Sequence, residues 1–210
     1  MEWPFVDLRL TCGAVVLRGV TEADLPRLAE LYPDDCGQDP RAERFAGLDP
    51  DRDRQRLFLQ EFWRHRGTWS PGSWCLDLAV EVDGDLVGQQ SLEGDDFPLL
   101  RTTDSFSWLA TRARGRGTAT TMRTAALGLA FGPLGAVAAV SSASTDNAAS
   151  LAVSRRLGYA DNGVSRTNSP TGVIQLQHLR LTRERWLEDD HRVDISGADA
   201  CLPWFGLDSS

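Results

Sequence analysis

Three arginines and two glycines stand within six residues, Arg112-Ala113-Arg114-Gly115-Arg116-Gly117. A strand-like run, Phe106 to Ala110, leads in, and a helix-forming run from Ala119 to Phe131 leads out. Glycines at alternate positions let a backbone approach a ligand closely, and the amides that open a helix carry partial positive charge, so the stretch suits an anion such as a phosphate. The other reading is a solvated basic turn before an ordinary helix, and a lone Gly-x-Gly does not decide between them. Just upstream, Glu93, Asp95 and Asp96 close one strand-like run and Asp104 opens the next, which sets several carboxylates near the same stretch.

The elements that must position these residues follow from periodicity. Phe5 to Leu10 and Val15 to Arg18 read as a hairpin across the Cys12-Gly13 turn. Thr21 caps a helix with Leu25, Leu28 and Leu31 on one face, which Pro33 stops. Residues 33–50, with three prolines, read as an irregular loop. Asp51 to Arg66 repeats Leu57, Phe58, Glu61, Phe62 and His65 at helical spacing. The aromatics nearby, Trp63 and Trp69, read either as core or as the wall of a substrate cleft. Trp74 to Val82 and Leu86 to Leu92 form a hairpin around Asp83-Gly84-Asp85. Asp104 to Ala110 is the next strand, and the helix from Thr118 carries Met122, Ala125, Ala126, Leu129 and Ala130 on one face. Ala136 to Val140 is uniformly apolar, as in a strand covered on both sides. Asp146-Asn147 opens a helix that Gly158 ends, Thr171 to Leu181 is a last strand, and Glu184 to Asp190 is helical before a tail with Trp204 and Phe205.

Composition sets the outer bounds. A chain of 210 residues holds one well-filled core. Four scattered cysteines (Cys12, Cys36, Cys75 and Cys201) without a Cys-x-x-Cys pair, and three histidines (His65, His178 and His191) without ligand spacing, predict free thiols and no metal. No apolar run approaches the roughly 20 residues of a membrane span, and no leader pattern opens the chain, so a cytoplasmic protein without a membrane partner is expected. The net charge is −8, with every basic residue an arginine, which argues against nucleic acid and is compatible with a cationic substrate.

The element order, with this loop behind the fourth main strand, resembles the GNAT superfamily of acyl-CoA-dependent N-acyltransferases. Its pyrophosphate motif (Arg or Gln, two residues, Gly, one residue, Gly or Ala) is matched by Arg112 to Gly117. A second family motif is matched by Asn147, Ser150, Leu157, Gly158 and Tyr159, and the pattern is most similar to the Rim-type (RimJ/RimL-like) N-acetyltransferases. The resemblance implies a mixed α/β (α+β) fold: a mostly antiparallel twisted sheet of about seven strands, splayed into a V at the acyl-CoA site, with helices on both faces. It implies an acyltransferase domain over 1–182, with the N-terminal hairpin at 5–18, and a C-terminal helical extension and tail over 183–210. The cofactor-binding residues it implies are Leu109, Ala110, Thr111, Arg112, Arg114, Gly115, Arg116, Gly117, Thr118, Ala119, Asn147, Ser150 and Ser154. In the family the strand before the loop leaves its neighbour at a bulge, so that amides near Leu109 and Thr111 meet the pantetheine arm and the thioester carbonyl.

Acyl transfer needs a neutral amine, a stabilised oxyanion and a leaving thiolate. Glu93 and Asp104 are the candidate proton acceptors, with Asp95 and Asp96 as substitutes, and Trp69 and Trp108 the expected walls of the substrate cleft. Many family members place a tyrosine seven residues after the Asn as general acid. Ser154 stands there instead, and the Rim-type pattern moves that role to Ser150. The implied co-substrate is acetyl-CoA by default, with succinyl-CoA admitted. The implied acceptor is a primary amine of a small molecule or a protein N-terminus, attacking directly in a ternary complex. A non-catalytic acyl-CoA-binding sensor or scaffold is the alternative. The oligomeric state, including a dimer or higher homo-oligomer, is left open.

Overall fold

Alternating and apolar runs in this sequence close into one sheet with helices on both faces. The computed structural model describes residues 3–36, 42–169 and 172–207. In chain order the elements are β1 (Arg9–Cys12), β2 (Val15–Gly19), α1 (Leu25–Leu31), α2 (Pro50–Gly67), β3 (Ser73–Val82), β4 (Asp85–Asp95), α3 (Phe97–Leu100), β5 (Thr102–Leu109), α4 (Thr118–Phe131), β6 (Ala138–Ser144), α5 (Ala148–Arg156), β7 (Ala160–Ser169), β8 (Gly172–Thr182), α6 (Arg183–Trp186) and β9 (Asp194–Ser196). The sheet order is β7-β8-β6-β5-β4-β3-β2-β1-β9. Among the described pairings, β5 with β6 is parallel and the others are antiparallel.

That parallel pair decides the shape of the molecule. Only Thr102 with Ala138 and Thr103 with Ala139 are in register, after which the strands diverge. The resulting V is the one the family resemblance implied, but it needs no bulge in β5. The register of β5 against β4 runs without a shift from Asp104–Glu93 to Leu109–Gly88, and the irregularity in this part of the sheet lies between Val80 and Glu81 of β3.

The two sheet faces carry separate cores. On one, α1 and α2 bury Leu25, Leu28, Phe58 and Phe62 against Ala79 and Trp108. On the other, the alanine-rich α4 lies close to the sheet, with Met122, Ala125, Ala126 and Leu129 among the buried residues. A Cβ at Gly128 would stand 3.0 Å from Val193, which accounts for the glycine within that helix. Residues 183–207, expected as an extension and tail, complete this same core: β9 pairs with β1, and Phe205 is fully buried against Phe5, Trp69 and Trp74.

Several boundaries differ from expectation for identifiable reasons. There are nine strands among the described residues rather than about seven. β7 is an edge strand exposed along nearly its whole length, built of Asp, Asn, Gly, Ser, Arg and Thr, so it lacks any alternation of burial. β9 has only three residues. The N-terminal strand begins at Arg9, because Pro4–Asp7 form a 3-10 turn that buries Phe5. The helix expected to reach Asp190 stops at Trp186, where three acids take over. Residues 37–41 of the expected loop, and Thr171 at the expected start of the last strand, lie outside the described residues. Among the described residues, no helix is long and apolar enough to cross a membrane.

Candidate active site

The basic loop does what a Gly-x-Gly before a helix can do. Gly115 and Gly117 take φ of +75° and +84°, a region costly for side chains with a Cβ. A Cβ built on either would meet nothing within 4 Å, so the glycines serve the turn and leave the space above it open. Gly117 is the N-cap of α4 without a side-chain cap. The amides of Gly115, Arg116, Gly117, Thr118 and Ala119 donate to no acceptor among the described residues, while Thr120 and Thr121 both reach back to the Gly117 carbonyl. Five unpaired amides at one helix start, opening onto a cavity, fit a diphosphate.

The cavity they open onto fills the V. It measures about 600 Å³ and runs from Gly115, Gly117 and Ala119 along β5 to Ser141–Ala143 of β6 and to Asn147, Ser150 and Val153 of α5. Leu109, Arg114, Gly115, Gly117, Ala119, Asn147 and Ser150, all expected at the cofactor, line it. Ala110 donates its amide to the Val87 carbonyl of β4 at 2.8 Å. By strand alternation the amides of Ser107 and Leu109 then face the other way, into the V. Asn147 caps α5 by accepting from the Ser150 amide at 3.1 Å, which leaves its own amide nitrogen free for the cavity. The Ser150 hydroxyl makes no hydrogen bond among the described residues.

Several of the loop side chains are already held by other protein groups. Arg112 donates to the Leu86 carbonyl, and Arg114 forms a bidentate pair with Asp35 while its Nε holds the Leu109 carbonyl at 3.0 Å. Of the three loop arginines, Arg116 alone has no ion pair or side-chain hydrogen bond among the described residues. Ala110, Thr111, Arg112, Arg116 and Thr118 are not on the cavity wall. Ser154 is fully buried, accepting from Arg123 Nη1 at 2.7 Å and donating to the Ser150 carbonyl, so it faces the α4–α5 interface rather than the cavity. A serine there is short enough to leave room for the guanidinium of Arg123.

A second cavity of about 300 Å³ lies on the α2 side of β5. Tyr32, Phe58, Phe62, Phe106 and Trp108 make its apolar wall, and Glu61, Arg64, His65 and Glu93 its polar one. Phe106 and Trp108 line both cavities. Trp69 does not join Trp108: its indole N–H bonds the Trp204 carbonyl within an aromatic cluster with Trp3, Phe5 and Trp74. Of the two expected proton acceptors, Glu93 lines this cavity. Asp104 faces it across the β4–β5 register but is not on the wall. Loss of solvation between the cavity walls, joined by the Asp104 charge, raises the Glu93 carboxyl above the ordinary range. Burial likewise raises Asp104, against the opposing hydrogen bond from the Ser105 amide.

Periodicity marked His65 only as a helix-face residue, yet it anchors a network. Its Nδ1 lies 2.8 Å from Asp77 and its Nε2 3.2 Å from Glu61. Asp77 is buried and also accepts from Gln89 at 2.8 Å and Ser91 at 2.7 Å. Burial pulls the imidazole pKa down, but the bonds to Asp77 and Glu61 outweigh it and lift the value to about 9. Glu61 is in turn lowered to about 2, chiefly by His65. His65 is therefore cationic at neutral pH and unsuited to taking a proton. Cys75 brings a third ligand-type atom within 4.8 Å of His65 and Asp77, but hydrogen bonding already accounts for both of those residues. No signal short of the fold pairs His65 with Asp77, because they lie on a helix and a strand.

A family model of the GNAT acetyltransferase domain matches residues 14–160. The chain belongs to this family. The acyltransferase is also similar in fold to RimJ of Mycobacterium smegmatis in complex with a CoA disulfide, at 21% identity and a TM-score of 0.71 over 97% of each chain. RimL, a ribosomal L7/L12 α-N-protein acetyltransferase, superposes with a TM-score of 0.61 at 15% identity, over 81% of this chain and 91% of that one. A chimera of spermidine N-acetyltransferase SpeG from Vibrio cholerae gives 0.63 at 14% identity, over 84% and 100%. The protein is thus an acyl-CoA-dependent N-acyltransferase with acyl-CoA as its co-substrate.

Proposed function

We propose that the V between β5 and β6 takes the acyl-CoA and that the smaller cavity takes a primary amine, which attacks the thioester directly in a ternary complex. The observation that carries this is the wall shared by the two cavities, Phe106 and Trp108 of β5. One strand separates donor from acceptor, so the reacting carbon and nitrogen meet across its edge. The unpaired amides of Gly115 to Ala119 hold the diphosphate, Asn147 and the β5 edge hold the pantetheine arm, and the Ser107 or Leu109 amide polarises the thioester carbonyl. Glu93 takes the ammonium proton, directly or through water. The amine forms its C–N bond as the C–S bond breaks, and the thiolate leaves with the Ser150 hydroxyl as its proton donor.

Glu93, beside the apolar wall of Tyr32, Phe58, Phe62, Phe106 and Trp108, favours an amine that arrives as an ammonium with an apolar flank, on a small molecule or at a protein N-terminus, while Glu61 is already paired with Arg64 and His65. The comparisons are compatible with both, since RimL and SpeG carry those two acceptor types in their names. A thiol-release assay with acetyl-CoA and succinyl-CoA against a panel of polyamines, aryl-alkyl amines and short peptides tests this reading. Turnover confined to amines with an apolar flank is expected, and CoA binding without turnover of any amine refutes it.

A further inference from the structure

Arg123 of α4 is only 6% exposed, yet it forms part of the donor cavity wall. Its Nη1 donates to Ser154 Oγ at 2.7 Å, and its Nη2 reaches Ser107 Oγ at 3.5 Å, the limit of a hydrogen bond. Its Nε is buried without a partner. No carboxylate lies within ion-pair distance among the described residues, and the buried Tyr159 hydroxyl and Asp104 act on the guanidinium only through space. Two of five N–H donors are therefore engaged, both by neutral hydroxyls. Guanidinium does not shed its proton to escape burial, so this charge is a standing cost of the fold.

The surroundings match the charge. Ser105 and Ser107 of β5 and Ser141 and Ser142 of β6 also line the cavity. An acetyl methyl placed here meets hydroxyls and a bare cation, with nothing to offset them. A carboxylate supplies the missing partner in the ground state, where the cost is carried. A thiolate supplies it only after the C–S bond has broken. Ser107 and Leu109 are two residues apart on one strand, a span of roughly 7 Å. That is within reach of a carboxylate two or three carbons beyond a thioester carbonyl held at the Leu109 amide.

We propose that Arg123 recognises a terminal carboxylate on the acyl chain, so that this enzyme prefers a dicarboxylic acyl thioester of the succinyl type over acetyl-CoA. The proposal rests on the acyl-CoA reading of the V. It does not depend on which amine is the acceptor, because binding alone reads it.

Calorimetric titration of the full chain with CoA, acetyl-CoA and succinyl-CoA, without acceptor, is the test. Succinyl-CoA is expected to bind about tenfold or more tighter than acetyl-CoA, as one charge-assisted pair provides. In Arg123→Met the ratio of the two affinities, and of the two kcat/KM values once an acceptor is known, collapses toward one. Arg123→Lys restores part of it. Equal wild-type affinity for the two donors overturns the proposal without any variant, even if Arg123→Met fails to fold. Equal losses for both donors in Arg123→Met also overturn it, and assign the charge to the thiolate or to the α4–α5 interface. Absence of binding by any of the three ligands refutes the acyl-CoA placement itself.

Discussion

Replacing Gly117 by glutamate tests the diphosphate cradle at its centre. Gly117 holds φ +84° as the N-cap of α4, and a left-handed residue with a Cβ costs roughly 1–2 kcal/mol. Nothing lies within 4 Å of that Cβ, so the stability loss is confined to this strain and the variant folds. The carboxylate, however, projects over the unpaired amides of Gly115 to Ala119 and competes for them. Each charge-assisted hydrogen bond to the diphosphate is worth about 1.5–3 kcal/mol, so losing two weakens CoA binding by on the order of a hundredfold or more. Gly117→Ala separates the contributions: it shares the strain, adds no charge, and weakens CoA by much less. Calorimetry with CoA, paired with thermal unfolding of each variant, measures both quantities. A folded Gly117→Glu protein with wild-type CoA affinity refutes the placement of the diphosphate.

Other expectations follow from the acceptor side and the core. Glu93→Gln lowers kcat about a hundredfold or more with a small change in the acceptor KM. Wild-type kcat/KM rises with pH through a limb above the ordinary carboxylate range, because the raised Glu93 must be ionised to accept a proton, and that limb vanishes in the variant. A limb that persists in Glu93→Gln assigns the base elsewhere. His65 gains its partners on folding, so its stabilisation is complete below the unfolded value of 6.5 and is lost as pH rises through about 9. Thermal midpoints therefore fall over that window, and in His65→Gln the fall is absent; an identical pH profile in the variant contradicts the network. Phe205→Ala, which empties a fully buried ring site, costs about 3–5 kcal/mol in denaturant unfolding, and a loss below 1 kcal/mol contradicts its place in the main core.

The proposed donor half of the site is legible in the sequence because its chemistry is local. A helix start, two glycines with φ above zero and the Asn147 cap are written in short contiguous stretches, and the unpaired amides belong to the same stretch of backbone. The acceptor half depends on pairings far apart in the chain: His65 with Asp77, Glu93 with Asp104, and Phe106 and Trp108 with α1 and α2. Nothing in the spacing along the sequence encodes these partners, and so Trp69 was placed at the cleft when it belongs to the aromatic core with Trp204. Arg123 was unreadable for a related reason. In an alanine-rich helix face its charge looks like a solvated position, and only the divergence of β5 from β6 shows that it lines an internal cavity. β7 escaped because an edge strand exposed on both faces has no burial pattern to leave in its sequence.

The pairing of β5 with β6 through Thr102 and Thr103 alone makes the molecule an interrupted sheet, with a free strand edge turned inward. An open edge on a protein surface recruits other chains. Here the opposing half of the same molecule screens it, and under the proposed placement of the donor a pantetheine arm supplies the rungs that the sheet lacks. The donor is in that sense a piece of secondary structure borrowed for each turnover. Amide exchange at Ser107 and Leu109, and the coupling between the two half-sheets, then report whether the donor is seated. Without such an arm, the cores on the two sheet faces hold the fold and the middle of the sheet stays open.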